Sequence, residues 1–259
     1  MRQDTAPART NHTTLDQPGD PLKMGNLLEA SNLGRRHPNG ASWLLEAIDL
    51  AVKPGDRLVL TGPSGAGKTL LLRALARLDP LDQGEVRFQG QLLFLDAVPR
   101  YRASVIYLHQ RAALIEDSVE AALRRPYSLA VHAGRKFDRA RAIRLLAAMG
   151  RGEAFLEKKS AELSGGETQI TALVRAVQLD PAMLLLDEPT SALDGPTAAA
   201  VEQLIDAWLT EDNRRAMIWV SHNEAQAQRV GRRTLQLEAG RLVGSVSPPS
   251  QEIIPHQRP

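Results

Sequence analysis

Along this chain, short runs of Leu, Val and Ile alternate with stretches whose apolar positions recur at helical spacing. Residues 56–61 (Asp-Arg-Leu-Val-Leu-Thr), 183–187 (Met-Leu-Leu-Leu-Asp) and 217–220 (Met-Ile-Trp-Val) read as strands buried on both faces. Residues 68 to about 78 and 196–209 read as helices. That alternation predicts an α/β domain whose parallel sheet is covered on both sides. Ahead of it, residues 27–32 and 44–52 read as antiparallel strands joined across Pro38-Asn39-Gly40. From about 112 to 175 the pattern changes to Ala/Leu/Arg-rich helical segments (118–125, 137–149 and 168–178), which predicts a mostly helical insertion in the α/β core. Residues 1 to about 25 and 247–259 lack a hydrophobic period and are rich in Pro and polar residues, so they read as disordered tails around a domain over 26–246.

Composition narrows this picture in three ways. At 259 residues and 43% hydrophobic content the chain is long enough for one large domain or two small ones, with a full core. Lys and Arg (32) nearly balance Asp and Glu (30), so there is no strong basic field and no nucleic-acid partner is expected. The absence of Cys excludes a disulfide framework, a thiol nucleophile and a cysteine metal site. No apolar run approaches the roughly 18 residues that cross a bilayer, so any membrane part of the process is expected on another polypeptide.

The densest chemistry lies between the strand at 56–61 and the helix that follows it. Gly62, Pro63, Ser64, Gly65, Ala66, Gly67, Lys68 and Thr69 fit G-x-x-x-x-G-K-[ST] in the strand-to-helix context that this motif requires. Glycines let the backbone wrap until successive N–H groups point at phosphate oxygens, and the helix N-terminus adds a favourable field. Lys68 is then placed to reach the β- and γ-phosphates, and the Thr69 hydroxyl to ligate Mg²⁺. The strand at 183–187 ends in Asp187, the carboxylate a nucleotide-bound Mg²⁺ needs in its shell. Glu188, next in sequence, is a candidate to accept a proton or a hydrogen bond from the attacking water.

A second glycine-rich segment, Leu163-Ser164-Gly165-Gly166-Glu167, completes a set that resembles the nucleotide-binding subunit of an ABC transporter. Leu163 to Glu167 resembles the family signature, and Gln110 after Val-Ile-Tyr-Leu-His resembles its Q-loop. Ser191-Ala-Leu-Asp194 resembles its D-loop, and His222 after Ile-Trp-Val-Ser its H-loop. The match covers about residues 27 to 246, in the family's order. It implies a P-loop NTPase fold with a RecA-like core, an antiparallel β subdomain and a helical subdomain. It also implies an ATPase using ATP and Mg²⁺, and a head-to-tail dimer in which Ser164, Gly165, Gly166 and Glu167 face the ATP held by the other copy. Gln110 is implied to touch Mg²⁺ and the water, His222 to hydrogen-bond the γ-phosphate, and Asp194 to line the interface between copies.

Three positions depart from the family's usual pattern. The aromatic residue that stacks on adenine aligns best with His37, with Arg36 and Trp43 as nearby substitutes. Position 167 is Glu where Gln is commoner, and Ile170 stands where Arg is usual, which predicts altered support of the signature helix rather than altered chemistry.

About 100 residues separate the two glycine loops, too few for the coiled-coil arm of the chromosome-maintenance relatives. Translation-factor relatives carry two nucleotide domains, and this chain has one. What remains is a transporter subunit, peripheral on the cytoplasmic face of the membrane, acting with a separate integral-membrane permease. The run from Ala161 to His222 is most similar to the small iron-efflux ATPases, which implies metal, with iron named, as cargo. Import of another solute, a soluble ABC ATPase driving assembly or repair, and a P-loop phosphotransferase stay open as alternatives. The signature and D-loop argue against the last.

Overall fold

The computed structural model describes residues 25–40 and 42–246, so all but Gly25 of the two expected tails lies outside the described residues. The chain builds two sheets. The smaller is antiparallel, in the order β2-β1-β4-β5, from β1 (Leu28–Arg36), β2 (Trp43–Val52), β4 (Gln83–Phe88) and β5 (Gln91–Leu92). The larger has the order β10-β9-β3-β8-β7-β6, from β3 (Arg57–Thr61), β6 (Val105–Leu108), β7 (Met183–Asp187), β8 (Ala216–Val220), β9 (Arg233–Glu238) and β10 (Arg241–Val246). Strands β9, β3, β8, β7 and β6 are parallel to their neighbours, whereas β10 pairs antiparallel with β9. The three strands expected from sequence are β3, β8 and β7 at the centre of this parallel sheet; β6 and β9 extend it beyond that expectation, and at the β10 edge a hairpin across Ala239-Gly240 reverses the chain.

Period-two alternation divides the core. Leu58, Leu60, Met183, Leu185, Ile218 and Val220 point to one face, where they pack with helix α1 (Lys68–Leu75) and the buried side of the antiparallel sheet. Val59, Leu184, Leu186, Met217 and Trp219 point to the other. That face is covered by α5 (Gly165–Val177), α6 (Gly195–Glu211) and α7 (Glu224–Val230), and by α3 (Val119–Arg124) and α4 (Arg139–Ala148) beyond them. Every residue of β7 and β8 is buried, as strands covered on both faces must be. Between β6 and β7 the chain forms only α3, α4, α5 and short 3₁₀ turns, with one isolated bridge between Ser118 and Lys159. Ser118 and Asp138 cap α3 and α4 through their side chains, accepting from the N–H groups of Ala121 and Arg141.

Two helix ends differ from the sequence expectation. Helix α1 stops at Leu75 rather than near 78, because Arg77 adopts φ +56° and a Schellman closure forms. The Leu78 N–H bonds the Arg73 carbonyl (2.9 Å) and the Arg77 N–H the Ala74 carbonyl (3.0 Å). The left-handed position is usually glycine, so arginine hid the stop. Helix α5 begins at Gly165, three residues before the expected 168, because Ser164 forms a full capping box with Glu167. The short helix α2 (Val98–Ser104) lies between β5 and β6.

Because β3, β6, β7 and β8 run in parallel, their C-terminal ends share one edge of the sheet. Ligands of open α/β sheets bind outside that edge. It carries Gly62 after β3, Gln110 after β6, Asp187 and Glu188 at the end of β7, and His222 after β8.

Candidate nucleotide-hydrolysis site

The loop from β3 to α1 is shaped by glycines at Gly62 and Gly67. Gly62 has φ +140°, and a Cβ there would lie 2.1 Å from the Leu237 carbonyl oxygen of β9. Gly67 caps α1 at φ +101°, where a side chain would press on Leu45. Lys68 opens the helix and folds back over the loop, its Nζ donating to the carbonyls of Gly62 (2.8 Å) and Pro63 (2.9 Å). Burial lowers the Lys68 pKa below that of an ordinary lysine, and the nearby Glu188 and Asp187 oppose the shift. Ser64 and Gly65 are exposed at the crown of the loop, Ala66 is buried beneath it, and Thr69 is exposed in the first turn of the helix.

Glu188 is the centre of the site. Its carboxylate accepts from Gln110 Nε2 at Oε2 (2.8 Å) and meets His222 Nε2 at Oε1 (2.7 Å). Three strand ends thus converge on one acid. Its backbone is held at φ +46°, a left-handed conformation that costs a non-glycine residue roughly 1–3 kcal/mol and persists only where the surroundings impose it. Asp187 beside it is buried, and its Oδ2 accepts a hydrogen bond from the Tyr107 hydroxyl (2.9 Å).

Ser164 to Glu167 sits at the start of α5. Within this segment Ser164 and Glu167 bond each other, the Thr168 and Thr171 hydroxyls donate to the carbonyls of Ser164 and Glu167, and Lys158 Nζ approaches the Glu167 carboxylate at 2.7 and 2.9 Å. A glutamate at this position is therefore matched by a cation nine residues earlier. The helix also grips the Q-loop. Gln169, buried in α5, donates to the His109 carbonyl (3.2 Å) and accepts from the Ala112 N–H (3.2 Å), on either side of Gln110. Ile170 is buried in the core cluster under α5, an apolar support where a cation was the expected residue.

Asp194 caps α6, its Oδ1 accepting from the Thr197 N–H at 2.8 Å. Gln226 ties this region to the H-loop, donating to Thr190 Oγ1 (2.9 Å) and accepting from Ser221 Oγ (2.8 Å). A cleft of about 500 Å³ opens here, lined by Glu188, Ser191, Gly195 and His222 among others.

The sequence profile of the family described as "ABC transporter" matches residues 45–191. The chain belongs to this family. The "Probable iron export ATP-binding protein FetA" of Escherichia coli (strain K12) is 34% identical over 217 residues, covering 83% of this chain and 94% of FetA. The "Fe(3+) ions import ATP-binding protein FbpC" of Yersinia pestis bv. Antiqua (strain Antiqua) is 34% identical over 230 residues, covering 86% of this chain but 63% of FbpC. Among solved structures, the ATP-binding cassette MJ0796, in a dimeric post-hydrolysis state bound to ADP and Pi, superposes with a TM-score of 0.76 at 26% identity, over 85% of this chain and 98% of that one. The protein is thus an ATP-binding subunit of ABC type and an ATPase, with the ABC cassette fold.

In this ABC ATPase the structure brings Lys68, Gln110, Asp187, Glu188 and His222 to one edge, and holds Ser164 to Glu167 in a separate segment joined to that edge through Gln169. His37 lies at the turn after β1, exposed, with Nδ1 accepting from the Asn39 N–H (3.3 Å). Its two substitutes are engaged with each other, the Arg36 guanidinium lying 4.2 Å from the Trp43 ring centroid. Tyr107, Lys158, Gln169 and Gln226 are site contacts that sequence reasoning missed. Only Lys158 had a readable signal, a lysine upstream of the unusual Glu167.

Lys158 first, and then the Ser164 N–H, hold the Glu167 carboxyl below its ordinary value. A depressed acid contributes stability above its unfolded pKa and loses it as pH falls through the lower folded value. The cap of α5 is therefore expected to be intact above about pH 4.5 and to fray in more acidic solution. Lys158→Ala should move that fraying to higher pH, as hydrogen exchange of the α5 amides against pH would show. Ser164→Ala should cost about 1 kcal/mol of helix stability in denaturant unfolding.

Proposed function

We propose that the chain hydrolyses ATP at a composite site shared with a second copy of itself, packed head to tail, and so powers a separate integral-membrane permease. The observation that carries this reading is the Glu188 carboxylate held between Gln110 and His222, with Lys68 and Asp187 beside it. Residues 26–246 form the ATPase domain in this reading, with about 112–175 as its helical subdomain.

The chemistry follows from the residues. The 62–69 loop and the N-terminus of α1 hold the phosphates, and Lys68 offsets the charge gathering on the γ-phosphoryl oxygens. Water attacks phosphorus, the bond to the ADP oxygen breaks, and the water's proton passes to the Glu188 carboxylate. Gln110 and His222 fix the orientation of that acid through its two oxygens. When ATP binds, the His222 Nε2–H passes from Glu188 to the γ-phosphate. Thr69, Asp187 and Gln110 supply oxygen donors of the hard type that Mg²⁺ prefers, and Asp187 is buried at the strand end with one oxygen already held by Tyr107. Bound there, Mg²⁺ screens the phosphate charge. The Ser164, Gly165, Gly166 and Glu167 segment meets the ATP of the other copy, since a helix N-terminus with small residues suits an anion. Asp194 lines the junction between copies, and His37 is the adenine contact.

The permease is expected on the side of the exposed apolar residues Phe94, Leu95 and Leu129, with Ile115, five residues after Gln110, exposed as well. Helix α2, which follows Leu95, lies against the 3₁₀ turn after Leu129, which brings the first three into one region. Among the described residues no helix is long and apolar enough to cross a membrane. As the partner of a permease that draws on ATP, the chain is placed by this reading peripherally, on the cytoplasmic face.

Metal efflux, with iron as cargo, is the preferred transport reading. It is supported by the alignment with FetA over 94% of that protein, against 63% of the import protein FbpC. Import remains the second reading because FbpC is equally identical where it aligns. The test is co-purification of the permease from solubilised membranes, then metal flux in vesicles holding both subunits. ATP-dependent iron flux out of the compartment that holds the ATPase, lost with Glu188→Gln, is expected. Flux in the opposite direction, or no dependence on this subunit, contradicts the efflux reading.

A further inference from the structure

Tyr107 is a polar residue in an otherwise apolar strand, and the family resemblance gives it no role. It is the third residue of β6, level with Leu185 of β7 in the parallel register. From there its half-buried side chain leans forward along the strand to the end of β7, and the hydroxyl donates to Asp187 Oδ2 at 2.9 Å. The ring is held by an edge contact with His109, centroids 5.9 Å apart. On the α1 side, Arg73 is occupied by a paired contact with Asp79 at 2.7 and 2.8 Å. Arg73 is therefore not the partner of the Asp187 carboxylate, and the phenol is.

A carboxylate at a strand end can rotate and present either oxygen. We propose that Tyr107 is a positioning residue for the Mg²⁺ site: its hydroxyl takes Oδ2 of Asp187 and thereby fixes the carboxylate so that Oδ1 is the oxygen offered to the metal. This rests on the reading that Asp187 holds Mg²⁺. Partners of metal ligands of this kind typically change metal affinity about 10–100-fold when removed.

Tyr107→Phe keeps the ring and its packing and deletes only the donor. Three quantities separate positioning from a structural role: the Mg²⁺ concentration giving half-maximal hydrolysis, Mn²⁺ binding followed by electron paramagnetic resonance at a fixed excess of the imido analogue of ATP, and ATP binding in EDTA. The expected result is metal affinity weaker by about tenfold in the first two, with metal-free ATP binding unchanged. Unchanged metal affinity, or an equal loss of ATP binding in EDTA, overturns the proposal. Asp187→Asn measured in parallel separates the two levels of the reading. If it weakens Mn²⁺ binding and Tyr107→Phe does not, only the role of Tyr107 falls. If neither does, the assignment of Asp187 to the metal falls with it.

Discussion

Glu188→Gln lowers the rate of ATP hydrolysis by about 10²–10⁴-fold, the range a positioned general base contributes, while MgATP still binds. The amide keeps the size of the side chain and the backbone conformation at φ +46° is not relieved, so the loop stays where it is. What changes is the proton acceptor. The carboxylate presents an oxygen to each of Gln110 and His222, whereas an amide has one oxygen and one NH₂. One of the two contacts must then reverse its polarity or break, so neither proton acceptance nor orientation survives intact. Single-turnover hydrolysis of γ-labelled ATP measures the chemical step apart from binding. A rate within tenfold of the unsubstituted protein would remove Glu188 from the role of base.

Lys68→Ala has the second large effect, on binding rather than chemistry. The ammonium is buried at the head of α1 and already directed into the loop, on the carbonyls of Gly62 and Pro63. In the proposed site, bound phosphate oxygens would replace those carbonyls as partners, and charge-assisted bonds of this type are worth about 1.5–3 kcal/mol each. Loss of two gives a weakening on the order of 100-fold or more in ATP affinity. Burial lowers the Lys68 pKa, and Glu188 and Asp187 nearby oppose that shift. Equilibrium titration with a fluorescent ATP analogue reports the affinity directly, and an unchanged value contradicts the phosphate role of Lys68.

Much of the α/β core was legible because it depends on local patterns. The strands at 57–61, 183–187 and 216–220 are compact apolar runs, and the loop at 62–69 carries the glycine spacing of G-x-x-x-x-G-K-[ST]. The antiparallel partner strand β4 was not read, because Gln-Gly-Glu-Val-Arg-Phe carries one fully buried residue and no clean alternation. The end of α1 was missed because arginine, not glycine, takes the left-handed position.

In the site, the identities of Lys68, Asp187 and Glu188 follow from residue type and spacing, and Gln110 and His222 from the resemblance. Their mutual contacts do not, because Gln110 and Glu188 are 78 positions apart in sequence and meet only through the β6–β7 register. Tyr107 and Gln169 were invisible for the same reason: each bonds across a strand or helix boundary that no local pattern encodes. The glutamate at 167 reads as an oddity in sequence and as half of an ion pair in space.

In the proposed dimer one copy holds only half of each catalytic site, with the 62–69 loop serving its own ATP and residues 163–167 that of another copy. Light scattering on Glu188→Gln, with and without MgATP, tests it most directly. The expected result is a shift from 28.3 kDa to about twice that mass on adding MgATP, abolished by Lys68→Ala in the same chain. A monomer at every MgATP concentration, under conditions where the nucleotide is shown to be bound, contradicts the composite site.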